Sequence, residues 1–92
     1  MNQDKKAVLE AVKRNGLYLV TASEELKEDK EVVLAAVRQN GTALRHASEL
    51  LQEDREVVLA AVENTRDALQ YAHKDLHKDL DVVLAANLSR SA

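Results

Sequence analysis

Cysteine is absent from the 92 residues, so the chain has no disulfide framework and is compatible with a reducing compartment. Aromatic residues number only two, Tyr18 and Tyr71, which leaves no stacking platform for single-stranded nucleic acid. No apolar run has the length needed to span a bilayer. The opening MNQDKK runs straight into a candidate helix cap, so no signal peptide is expected. Concentrated positive charge is lacking too. The net charge of −3, with both signs interspersed, is an ordinary solubilising surface and argues against a phosphate-backbone binder. With 46% hydrophobic and 32% charged residues, the composition suits one small domain over residues 1–92 with a cytoplasmic location.

What the chain does have is one text written about three and a half times. DREVVLAAV, from Asp54 to Val62, occurs upstream as DKEVVLAAV from Asp29 and, blurred, as DKKAVLEAV from Asp4 and DLDVVLAAN from Asp79. The aspartates recur every 25 residues, a period typical of repeat architectures. Each precedes an apolar run, where a short carboxylate can accept from the unpaired first-turn amides of a helix. Asn15-Gly16 and Asn40-Gly41 follow, residues that tolerate a left-handed helix terminus. The six apolar positions Val32 to Val37 predict a helix buried on several sides, with Leu59 central to the core. A leucine-rich repeat strand is the competing assignment. The Ala-Ala pair and the absent asparagine pattern reject it.

A second, amphipathic helix is predicted between the first ones, at 17–27, 42–52 and 67–77. There Leu19/Leu44/Leu69, Ala22/Ala47/Ala72 and Leu26/Leu51/Leu76 keep their character at spacings of three and four. The expected fold is therefore all-α: helical hairpins stacked as a small α-solenoid of about seven helices, with repeats 4–28, 29–53, 54–78 and a partial capping repeat 79–92. The inner helices are predicted at 4–14, 29–39, 54–64 and 79–88. Ala7, Glu10 and Asn87 dilute the apolar consensus at the two ends, as capping repeats require. Asn64-Thr65-Arg66 lacks the glycine, which predicts a different hairpin angle there with Asp67 as the cap.

DREVVLAAV, then Asn-Gly, then Leu, then Tyr-Ala-x-x-x-Leu resembles a helical repeat family known as domain of unknown function 4116, found in tandem in bacteria and some protists. The similarity covers essentially the whole chain. The aromatic-Ala step stands only at Tyr71-Ala72, with Thr21 and His46 in its place elsewhere. The resemblance implies architecture and a prokaryotic context, with delivery into a host cytosol if the source is an intracellular pathogen. It implies no catalytic residue.

Chemistry-bearing patterns are weak. His73 and His77 have the i, i+4 spacing of metal ligands, but a third ligand and the zinc motif's glutamate are missing, and Lys74 and Lys78 stand beside them. Asp75, Asp79 and Asp81 are not followed by the glycine turn and terminal glutamate of a calcium loop. Ser23, Ser48, Ser89 and Ser91 have no convergent His and Asp partner. No catalysis, metal or cofactor is expected. The expected function is a protein-protein interaction module, an adaptor or a regulator of a partner enzyme, by analogy between folds. The alternatives are a structural unit that self-associates through its chain ends, a fragment of a longer repeat protein, and a small enzyme or metal-binding protein. On a continuous second helix, residues 18/21/25, 43/46/50 and 68/71/75 would line one flank. Tyr18, Arg45, His46, Leu50 and Tyr71 are the candidate partner-binding residues there.

Overall fold

A computed structural model describes residues 4–88, so Ser89 and Ser91 lie outside the described residues. Each aspartate does cap a helix. Asp4 accepts from the amide of Ala7, and Asp29, Asp54 and Asp79 each accept from the amides two and three residues on, at 2.9 to 3.4 Å. The capped helices are α1 (Lys5–Arg14), α3 (Lys30–Gln39), α5 (Arg55–Asn64) and α6 (Leu80–Leu88). They form one row in which α1 packs on α3, α3 on α5 and α5 on α6. No β-strand occurs among the described residues, and none of the helices is long and apolar enough to cross a membrane.

The second row departs from the expected helices 17–27, 42–52 and 67–77. Each is broken in two. The 3₁₀ helices η1 (Gly16–Thr21), η2 (Gly41–His46) and η3 (Arg66–Tyr71) come first, followed by one-turn helices α2 (Glu24–Lys27), α4 (Glu49–Gln52) and η4 (Lys74–Lys78). The break falls at Ala22-Ser23, Ala47-Ser48 and Ala72-His73, where the backbone is extended. Two gains offset the lost helical bonds. Ser23 and Ser48 cap the next turn through their hydroxyls, and His73 does so through Nδ1, accepting from Asp75 at 3.1 Å. The freed amides also reach sideways: Ser48 donates to the Lys27 carbonyl at 3.0 Å and His73 to that of Gln52 at 2.9 Å, tying each repeat to its predecessor.

The glycines also differ in role from expectation. Among the described residues none has a positive φ, so neither terminus is left-handed. Asn15 and Asn40 are extended and instead cap the 3₁₀ helices, accepting from Leu17 and Thr42 at 3.0 Å. Gly16 and Gly41 are required for space. A Cβ on either would stand 2.3 Å from a carbonyl oxygen of the next repeat, Ala36 or Ala61. Their amides donate to side chains of the same helices, Gln39 at 2.6 Å and Asn64 at 2.7 Å. At the third junction Thr65 keeps the backbone angles of Asn15 and Asn40, so the hairpin does not open differently. Asp67 lies inside η3 and does not cap it, and Thr65 makes no side-chain cap bond.

Valines and alanines, more than leucines, fill the space between the rows. Val33, Val37, Val58, Val62, Ala36 and Ala61 are fully buried, as are Leu19 and Leu44 of the second row. Leu34 and Leu59 are only partly covered. The row of caps carries a ladder of ion pairs on its surface. Lys5 Nζ lies 3.0 Å from Asp29 and 2.8 Å from Glu31; Lys30 Nζ lies 3.1 Å from Asp54 and 2.8 Å from Glu56; Arg55 meets Asp79 at 2.8 Å and also Asp81.

The ladder sets a pH dependence. Partial burial pushes the Asp29 and Asp54 carboxyls up, but the ammonium of Lys5 or Lys30 and the capped amides outweigh it and hold both below the ordinary value. The Arg55 guanidinium holds Asp79 down in the same direction. Lys30 is raised by its bonds to Glu56 and Asp54. Depressed carboxylates stabilise the fold above the unfolded value of about 3.9, and that contribution is lost as pH falls through the lowered folded values. A raised lysine contributes below about 10.4, and its part is lost as pH rises through the folded value. A plateau in melting temperature between these limits is expected, with a fall in acid. Lys30→Met should make the acid limb shallower; superimposable profiles for the two proteins would show that the ladder does not govern it.

Candidate functional site

The breaks after Ala22, Ala47 and Ala72 mean that residues 18/21/25, 43/46/50 and 68/71/75 do not share one continuous helix flank. Of the five residues singled out from the sequence, the structure brings two, Arg45 and Tyr71, into contact. The Arg45 guanidinium carbon lies 5.5 Å from the centroid of the Tyr71 ring, a cation–π contact across the boundary between two repeats. His46, next in chain, is partly buried. Burial first, then the charges of Arg45 and Lys27, push its imidazole below the ordinary value, which favours the neutral form. Tyr71 packs against the core on its inner side.

Tyr18 and Leu50 stand apart from that group. Tyr18 lies on η1, half exposed, with its carbonyl accepting from the Thr21 hydroxyl at 2.7 Å. Its equivalents Ala43 and Ala68 are completely buried. Those two have a preceding repeat packed against them, whereas η1 is the first of its row, so the change from Tyr to Ala follows packing at the boundary. Leu50 is on α4, on the far side of the break, and is 71% exposed. The side chain of Gln52, two residues on, folds back to donate to the carbonyls of Leu44 and Arg45.

Sequence reasoning overlooked other exposed apolar residues: Leu17 and Val20 on η1, and Leu80, Leu84 and Leu88 on α6. A signal for all of them but Leu84 was present in the repeats. The aligned positions hold Thr42 and Asp67 for Leu17, Arg45 and Gln70 for Val20, Lys5, Lys30 and Arg55 for Leu80, and Lys13, Arg38 and Glu63 for Leu88. The histidines have other occupations: His73 caps η4, and His77 Nε2 lies 3.0 Å from the Ala72 carbonyl. No group of three His, Cys, Asp or Glu side chains converges in metal-binding fashion among the described residues. One depression is lined by Arg38, Glu56, Ala60, Glu63 and Asn64, and a shallower one by Arg66, Asp67, Leu69, Gln70 and His77.

A family model described as "Domain of unknown function (DUF4116)" matches residues 4–52 and 54–90. The chain belongs to this family. The two matched segments of this DUF4116 chain meet at Glu53, the residue before the third capping aspartate. No curated protein and no solved structure matches it.

Proposed function

We propose that this chain is a protein-protein interaction module without catalysis of its own, an adaptor or a regulator of a partner enzyme. What supports this is the set of large apolar side chains left in solvent: Leu17, Tyr18, Val20, Leu50, Leu80, Leu84 and Leu88. All but Leu84 stand where the other copies of the repeat carry a small or polar residue. Leaving aside Tyr18, whose place is filled by buried Ala43 and Ala68, and Leu84, the fold is built without an apolar residue at those positions, which supports reading their hydrophobicity as serving contact with something else. Beside them, Arg45 on Tyr71 supplies a pre-positioned pair of the residue types that dominate binding hot spots. The location that goes with this reading is the cytoplasm, or a host cytosol if the source is an intracellular pathogen.

The repeats themselves provide the test. Tyr18→Ala, Leu50→Glu and Tyr71→Thr each install the residue found at the same place in another copy. A partner would be captured from source-cell extract on the immobilised chain, identified, and its affinity measured against each variant. Losses of about ten-fold or more are expected for at least two of the three, with circular-dichroism melts confirming the fold. Binding that stays at the wild-type level in all three, with intact folds, would overturn the assignment of this surface.

A further inference from the structure

Asn15-Gly16 and Asn40-Gly41 are pairs in which asparagine is chemically least durable. The glycine has no side chain to keep its amide nitrogen away from the asparagine Cγ. Once it gives up its proton to solvent base, that nitrogen can bond to Cγ while the bond from Cγ to the amino group breaks and ammonia leaves. The cyclic imide so formed takes up one water. Opening at Cγ leaves aspartate. Opening at the former main-chain carbonyl leaves isoaspartate, in which the chain runs through Cβ and Cγ.

The fold opposes each part of this reaction. Gly16 and Gly41 are buried, and the protons that must leave are held by the next repeat: the Gly16 amide donates to Gln39 Oε1 at 2.6 Å and the Gly41 amide to Asn64 Oδ1 at 2.7 Å. The asparagine side chains are fixed as well. Asn15 Oδ1 accepts from the Leu17 amide, and Asn40 Oδ1 from the amide and hydroxyl of Thr42. Ring closure needs the asparagine Cβ and the glycine nitrogen on the same side of the Cα–C bond. At ψ of 105° and 108° they lie on different sides, and turning that bond would pull the glycine from its seat against Ala36 or Ala61. At the third joint the same places hold Thr65 and Arg66, which cannot react in this way.

We infer that Asn15 and Asn40 are latent deamidation sites, closed to reaction while the next repeat is stacked on them, at which a joint that opens and reacts cannot close again unchanged. Aspartate would be tolerated, since its carboxylate can accept from Leu17 or Thr42 as the amide oxygen does. Isoaspartate would not. It adds one atom to the main chain where even a methyl group does not fit, a Cβ on either glycine standing 2.3 Å from a carbonyl oxygen. It also takes out of the main chain the asparagine carbonyl that accepts from Tyr18 at 3.0 Å or Ala43 at 2.9 Å. Spontaneous chemistry thereby marks the joints that have opened.

Peptide mapping by mass spectrometry, on the full chain incubated folded and in urea at mildly alkaline pH, tests this. In urea, Asn15 and Asn40 should convert ahead of Asn64 and Asn87, each with the mass change of an amino group replaced by a hydroxyl. In the folded chain both should slow by about a hundred-fold or more, because the reaction waits on opening. Gln39→Ala frees the Gly16 amide and should speed conversion of Asn15 several-fold in the folded chain while Asn40 keeps its rate. A general loosening of the fold would speed both. Among the products, refolded chains with isoaspartate at position 40 should melt below wild type, whereas Asn40→Asp should melt with it. Equal folded and unfolded rates, or no site-selective effect of Gln39→Ala, would overturn the guarding role of the stack. Isoaspartate chains that melt like wild type would overturn the failure to close.

Discussion

Leu44→Ala is expected to lower the unfolding free energy by about 2 to 5 kcal/mol, the largest effect of any conservative truncation in the molecule. Leu44 is fully buried in η2, the middle helix of the second row, which packs on η1, η3, α3 and α5. Removing its isobutyl group empties a site walled by four elements, none of which can close in without disturbing another. Leu59→Ala should cost clearly less, because Leu59 is only partly buried and water can fill part of the space left. Urea denaturation of the two variants decides this. Equal midpoints would mean that the second row contributes no more to the core than the flank of α5.

Gly41→Ala is the second large effect, expected at about 1 to 3 kcal/mol or more for a single added methyl group. An exposed Gly→Ala change at an ordinary negative φ usually stabilises by restricting the unfolded chain. The reverse is expected here. The new Cβ would lie 2.3 Å from the Ala61 carbonyl oxygen and 2.9 Å from Cβ of Thr65, so η2 must withdraw from α5 and the Gly41 amide lose Asn64. A melting temperature at or above wild type would show that the two rows can separate at no cost.

The comparison between these two positions shows what could be read without coordinates. The all-α class, the four capping aspartates and the inward set Leu19, Leu26, Leu44 and Leu51 followed from period and residue type alone. The breaks at Ser23, Ser48 and His73 did not: at Ser48 and His73 a sideways amide bond to the previous repeat favours them, and helix periodicity records only local bonds. Gly41 was visible as a glycine, but whether it serves φ or space depends on how near Ala61 comes. For the candidate surface, residue type suggested Tyr18, Arg45, His46, Leu50 and Tyr71, and the fold lays Arg45 on Tyr71, with His46 next to Arg45 in the chain. Leu80 and Leu88 of α6 were legible by asking which copies break the charge pattern, a question about differences between repeats rather than their likeness.

The ion-pair ladder makes the length of this molecule adjustable. The first two joints are written with the same parts: a base after the cap on one side, an aspartate and an acid two residues on at the other, and a glycine facing an alanine carbonyl; the third keeps the ion pairs but has Arg66 in place of the glycine. Excision of residues 29–53 would bring Lys5 to Asp54 and Glu56, and Gly16 to the carbonyl of Ala61, with no joint left unmatched. Duplication of the same segment would add one matched joint. Whole units in the middle can therefore be gained or lost without a mismatched joint, while α1 with Lys6 and α6 with Leu80, which depart from the formula, stay as they are.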